Sequence, residues 1–267
     1  MNFHSDEWIM DSLKEHYQEA LEYFQEDRIV GLFLQGSQNY GLDYEGSDID
    51  TKLIVVPTFK DIAMNKKPVS ATHICANDEH IDWKDIRLYI QIFKKQNINF
   101  VEILFTPYKI LNPIYEKQWN RLIKSREDIA RYFPIQSIKS MRGVAKEKYF
   151  ALEHHYPSRM KWIDKFGYDP KQLHHLLRIE EFIERYINRV QYKKCLISEN
   201  PEYLVDVKKG LYNLEDARVY ANGAIEHIDL LYNDFLKNEH TVNTNIDILL
   251  DDVQYEIMKI AIQKEIG

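Results

Sequence analysis

Two aspartates, Asp48 and Asp50, flank a single isoleucine in the stretch FLQGSQNYGLDYEGSDIDTKLIVV, residues 33–56. The residues that follow are apolar, so the pair opens a strand. Alternate side chains of a strand share a face, which sends both carboxylates one way and Ile49 into the core. Two ionised carboxylates this close repel, and a cation between them removes the repulsion. The pattern offers hard oxygen donors and neither histidine nor cysteine, so the expected cation is magnesium or manganese rather than zinc. Upstream, Gly36 and Ser37 sit where an apolar run turns. Glycine lets the backbone approach a ligand, successive N–H groups can cradle a phosphate, and the serine adds a hydroxyl. A nucleoside triphosphate with its metal needs both devices. Each is common alone; their order between two apolar strands is what gives the signal.

The same stretch resembles the signature of the DNA polymerase beta-type nucleotidyltransferase superfamily, where Gly-Ser is followed after a short loop by Asp-x-Asp on the next strand. The runs NINFVEILFTP (97–107) and YDPKQLHHLLR (168–178) are similar to a bacterial and phage subgroup of predicted nucleotidyltransferases associated with RNA repair. The motif proper covers about residues 31–56, and the subgroup likeness reaches roughly residue 180. The resemblance implies that Gly36 and Ser37 hold the triphosphate and that Asp48 and Asp50 bind magnesium. It also implies a third carboxylate on a neighbouring strand, which helps to deprotonate the attacking hydroxyl. Such a ligand lets two metals sit about 3.5–4 Å apart, one on the nucleophile and one on the leaving pyrophosphate. Asp82 in EHIDWKDI is the candidate third metal ligand. Of its rivals, Asp85 reads better as a helix N-cap, and Glu79 falls on the opposite face of the strand.

In YDPKQLHHLLR, Asp169 is expected to cap a helix with Pro170 in its first turn. Lys171, His175 and Arg178 then share one face, a row able to hold triphosphate or nucleic-acid phosphates. His174 points elsewhere. The alternative is a solvated helix surface balanced by Glu180, Glu181 and Glu184; the subgroup resemblance favours function. Glu102 interrupts the apolar run NFVEILF; it could orient a basic residue or a metal-bound water, but reads better as a salt-bridged group at a sheet edge. His73, Cys75 and His80 are loosely spaced and lack a fourth ligand, so no zinc site is expected from them.

These residues require elements to hold them. Helical spacing of Trp8, Leu13, Tyr17, Leu21 and Phe24 predicts a helix from Asp6 to about Gln25. Strands are expected at 28–35, 48–57, 79–83 and 99–105, and a helix from Ile86 to about Lys95. After Pro113 the pattern is helical almost throughout. The expected fold is α+β: a small mixed sheet with flanking helices, then an all-helical half. The expected division is a nucleotidyltransferase catalytic domain over 1–112 and a helical domain over 113–267, packed together without a linker.

Composition sets the outer bounds. The 267 residues are 45% hydrophobic and 29% charged, an ordinary globular balance. No apolar run approaches the ~20 residues of a membrane span, and the acidic, amphipathic N-terminal stretch fits neither a signal nor a transit peptide. Cys75 and Cys195 are far apart, which suits a reducing cytoplasm. The net charge is −7, so the surface as a whole does not advertise nucleic-acid binding. Basic residues nevertheless recur from Lys117 to Lys148, either as solvated helix faces or as a wall toward a polyanion. Together these readings point to a magnesium-dependent nucleotidyltransferase that moves a nucleoside monophosphate onto an acceptor hydroxyl, with RNA as acceptor on the resemblance alone. The alternatives are a non-catalytic regulatory module of the same fold, and protein nucleotidylation as in toxin–antitoxin systems.

Overall fold

The computed structural model describes residues 3–267. Helix α1 (Asp6–Leu21) starts where the Ser5 side chain accepts the Trp8 N–H, and it buries Ile9, Leu13, His16 and Ala20. Strand β1 (Ile29–Gln35) follows, buried along nearly its whole length. After the Gly36 turn come β2 (Asp50–Val55), α2 (Phe59–Ala63), β3 (Ser70–Ile74) and β4 (His80–Asp85). Helix α3 (Ile86–Lys94) is capped by Asp85, whose side chain accepts the Arg87 N–H. Then come α4 (Ile98–Val101), a 3-10 turn at Glu102–Leu104 and the short strand β5 (Lys109–Leu111).

The five strands lie in the order β3-β4-β2-β1-β5. β1 is antiparallel to β2 and to β5, β2 is parallel to β4, and β3 is antiparallel to β4. The sheet is therefore mixed, as expected. One face packs on α1 through Leu32, Leu34, Leu53, Ile81 and Trp83. The other carries Phe33 and Ile54 into a much larger core that continues through the helical half to Ile257.

That half consists of α5 (Glu116–Lys124), α6 (Arg126–Ile129), α7 (Pro134–Ala151), α8 (Met160–Phe166), α9 (Pro170–Ile187), α10 (Tyr192–Leu196), α11 (Pro201–Lys209), α12 (Leu214–Phe235) and α13 (Thr244–Ile266). Helix α9 is its axis, packed by α7, α11 and α12. Among the described residues no helix is long and apolar enough to cross a membrane.

Several expectations are corrected. Residues 99–105 form no strand: Asn97 accepts the Asn99 N–H and starts α4, and the 3-10 turn completes the segment. Ile98, Val101, Ile103 and Leu104 are all buried, and a run buried on every side has no period to separate strand from helix. Strands β3 and β5 were not expected. β3 is an exposed edge and shows no apolar alternation, and β5 has only three residues. In α1 the buried stripe runs through Ile9 and His16, leaving Trp8 substantially exposed.

Candidate active site

Gly36 ends β1 with φ +109°, a conformation closed to ordinary L side chains. A Cβ there would meet nothing closer than 3.8 Å, so backbone geometry rather than crowding demands the glycine. Ser37 opens the 3-10 turn Ser37–Asn39, and the Tyr40 and Leu42 N–H groups both return to its carbonyl. The Gln38 side-chain amide donates to the Asp48 carbonyl at 3.0 Å, fastening this turn to the aspartate segment. From the other side Glu79 accepts the Ile49 N–H at 2.8 Å and lies 3.0 Å from His16 Nε2. Ile49 is fully buried, Asp48 is exposed and Asp50 is half-buried. Asp48 and Asp50 both line a cleft of about 400 Å³ that also takes in Gly36 and Ser37.

Asp82 is placed differently. In the parallel β2–β4 ladder Asp50 faces His80, and Asp82 faces Lys52. Asp82 lies with Asp50 on the wall of a neighbouring shallow hollow, two strand positions further along. Its carboxylate contacts Lys52 Nζ at 3.2 Å and Lys84 Nζ at 2.5 Å. Lys52 is buried beneath the Phe100 ring at 3.9 Å, and burial pushes its ammonium down to about 8 even with Asp82 beside it. Of the two rivals, Asp85 caps α3 and holds Arg87, while Glu79 latches the aspartate loop from the α1 side.

The helical half forms the opposite wall. Asp169 caps α9 and grips Arg159 through two hydrogen bonds of 2.7 Å. Lys171, His175 and Arg178 all line the cleft from α9. Arg178 is 7% exposed and stacks over Tyr40 at 4.1 Å. Burial drives the His175 imidazole well below its usual range, with His174, Arg178 and Lys171 adding to the effect, so His175 enters as a neutral group. His174 also lines the cleft, contrary to the expectation that it points away. Its Nδ1–H donates to the Leu204 carbonyl at 2.8 Å, and burial lowers it to about 3.

Lys148, Arg159, Lys161 and Lys208 complete the wall, so six cationic side chains face two carboxylates in a chain whose net charge is −7. Lys208, at the end of α11, sits 4.6 Å from the Tyr44 ring. Trp162 of α8 adds an indole. Sequence spacing missed Arg159, Lys161, Trp162 and Lys208, because α8 and α11 reach the cleft only through tertiary packing. Lys148 belonged to the basic run, but other members of that run serve structure. Arg121 pairs with Glu256, Arg142 with Asp229, and Arg131 binds the Tyr186 and Val190 carbonyls.

Glu102 is not a salt-bridged sheet-edge group. It is 1% exposed in the 3-10 turn, and neither carboxylate oxygen has a hydrogen-bond partner. Burial raises it to about 8, opposed by the charge of Arg178.

No family model matches the chain, and no curated protein matches it. Solved structures that resemble it include a nucleotidyltransferase-like protein from Exiguobacterium sibiricum 255-15, 10% identical, with a TM-score of 0.30 over 94% of this chain and 80% of that one. The chemistry of the cleft has to be read from its own residues.

Proposed function

We propose that the protein is a magnesium- or manganese-dependent nucleotidyltransferase, transferring a nucleoside monophosphate from a triphosphate to an acceptor hydroxyl with release of pyrophosphate. One observation carries this reading: a cleft with Gly36, Ser37, Asp48 and Asp50 on one wall and six cations on the other. Asp48 and Asp50 would hold the metal, hard oxygen donors on a shared face. Ser37, Lys171, Lys208 and Arg178 would hold the phosphates, and Trp162 offers a surface for a base to stack on. Bound metal would neutralise the phosphate oxygens and the leaving pyrophosphate. Asp82 would be the third carboxylate, and to hold metal it would have to give up its pairing with Lys52 and Lys84. RNA is the acceptor proposed, because a cationic cleft in an acidic protein suits a polyanion.

The lysine pair on Asp82 favours one second reading, a module that binds metal–triphosphate without transferring it. One set of measurements separates the two. Metal with a nucleoside triphosphate should raise the melting temperature by mass action, and the Asp48→Asn, Asp50→Asn double variant should fold yet lose the shift. An unchanged shift in that variant overturns the site. Wild-type protein given labelled triphosphate and a pool of small RNAs should label RNA. Asp82→Asn should bind triphosphate but transfer at least about 100-fold more slowly. Binding without label on RNA, DNA or protein establishes the module instead.

A further inference from the structure

On the opposite face of the sheet, α1 and the end of β3 gather three side chains with metal-binding chemistry. His73 lies in β3 and Cys75 just beyond it, and α1 supplies Glu19. His73 Nε2 is 2.6 Å from Glu19 Oε1, and Cys75 Sγ lies close to the same carboxylate. The three ligand atoms all lie within 4.8 Å of one another. The imidazole is fixed in place, stacked on Trp83 at 5.0 Å with 18° between the planes and flanked by Tyr23. Cys75 is buried, whereas the Glu19 and His73 side chains keep 29% and 17% exposure, so the trio is sheltered yet reachable. Surrounding groups brace it: the Cys75 N–H donates to the Glu79 carbonyl at 2.8 Å.

We propose that Glu19, His73 and Cys75 form a transition-metal site that takes zinc through a carboxylate oxygen, Nε2 and Sγ, with water as the fourth ligand. A mixed oxygen, nitrogen and sulfur set suits zinc and its tetrahedral relatives and is foreign to magnesium. Three protein ligands leave one position open to solvent. The site is separate from Asp48 and Asp50 in both place and chemistry. Spacing alone missed it because Glu19 is 54 residues from His73. His80, the third member of the scatter read from sequence, turns to the cleft face and pairs with Asp50 at 3.2 Å.

Cobalt(II) tests the site, since a cobalt–thiolate bond gives a near-ultraviolet charge-transfer band. Chelator-stripped full-length protein, dialysed against cobalt, should bind one ion per chain with that band, and zinc should bleach it. Cys75→Ser should abolish the band. His73→Gln and Glu19→Gln should each weaken cobalt binding at least about tenfold. The Asp48→Asn, Asp50→Asn variant should keep the band. No band in the wild type overturns the proposal, as does a band that survives Cys75→Ser. If Cys75→Ser does not fold by circular dichroism, the other two variants decide. Wild-type cobalt affinity in both would show that the trio is only a hydrogen-bonded cluster.

Discussion

Glu102 is a single residue whose burial reaches into the cleft. Burial keeps its carboxyl protonated at neutral pH, and nothing hydrogen-bonds its charged form to offset that. The neutral carboxyl therefore leaves the charge of Arg178 uncancelled. A folded-state value near 8 lies above the ordinary carboxylate value near 4.3. The folded state thus holds the proton more tightly, and this contribution is complete at low pH. It is lost as pH rises from the unfolded value to about 8. We predict that the stability of the wild type declines over that window and that Glu102→Gln removes this part of the slope, as urea melts between pH 4 and 8.5 would record. A second outcome follows above pH 8, where ionised Glu102 neutralises Arg178: triphosphate affinity should fall in the wild type more than in Glu102→Gln. At this scale the shared cleft position of Asp48, Asp50 and Gly36 and the Asp85 and Asp169 caps were legible in the sequence, because each obeys a local rule of spacing or capping. Glu102 stood out as a charge in an apolar run, but its full burial beside Arg178 is set by tertiary packing and was not legible.

Helix α9 shows how one element sets several groups at once. Asp169 accepts the Lys171 N–H at 3.0 Å and holds the Arg159 guanidinium, so the cap and the cationic wall depend on the same carboxylate. Removing the cap by Asp169→Ala should cost about 1–2 kcal/mol of stability and also weaken triphosphate binding. Asp169→Asn can still cap but lacks the charge that holds Arg159, so it should lose affinity with a smaller loss of stability. Denaturant midpoints and triphosphate titrations on the two variants check this split; equal affinity loss without the stability difference would refute it. Helices with strong caps and clear periodicity were legible in the sequence, as were β1, β2 and β4. The 97–105 segment was not, because the continuous burial of residues 101–105 erases the period. Nor was β3, whose exposed edge gives no apolar alternation.

At the scale of the molecule the two halves share one continuous core, from Val30 and Phe33 of the sheet to Val253 and Ile257 of α13. We predict that residues 1–112 expressed alone do not unfold cooperatively, since that fragment exposes the face bearing Phe33, Tyr89 and Phe93. A sharp calorimetric transition for the fragment would contradict this. The charge distribution gives a second whole-molecule prediction. With six cations in the cleft, RNA affinity should fall with salt with a log–log slope no steeper than about −4, given ~0.7 per phosphate contacted on a single strand. A steeper slope would place contacts outside the cleft, and a flat one would remove RNA from it. The shared core also has a consequence in time. Asp48 leaves the ribosome about 160 residues before Lys208, an interval of roughly 8–30 s at elongation rates of ~5–20 residues per second. Within it Lys148, Arg159, Lys161, Lys171 and Arg178 emerge in turn, and Lys208 last, so the cationic wall is assembled piece by piece after the carboxylate wall. The cleft is complete only when α11 has docked, late in synthesis.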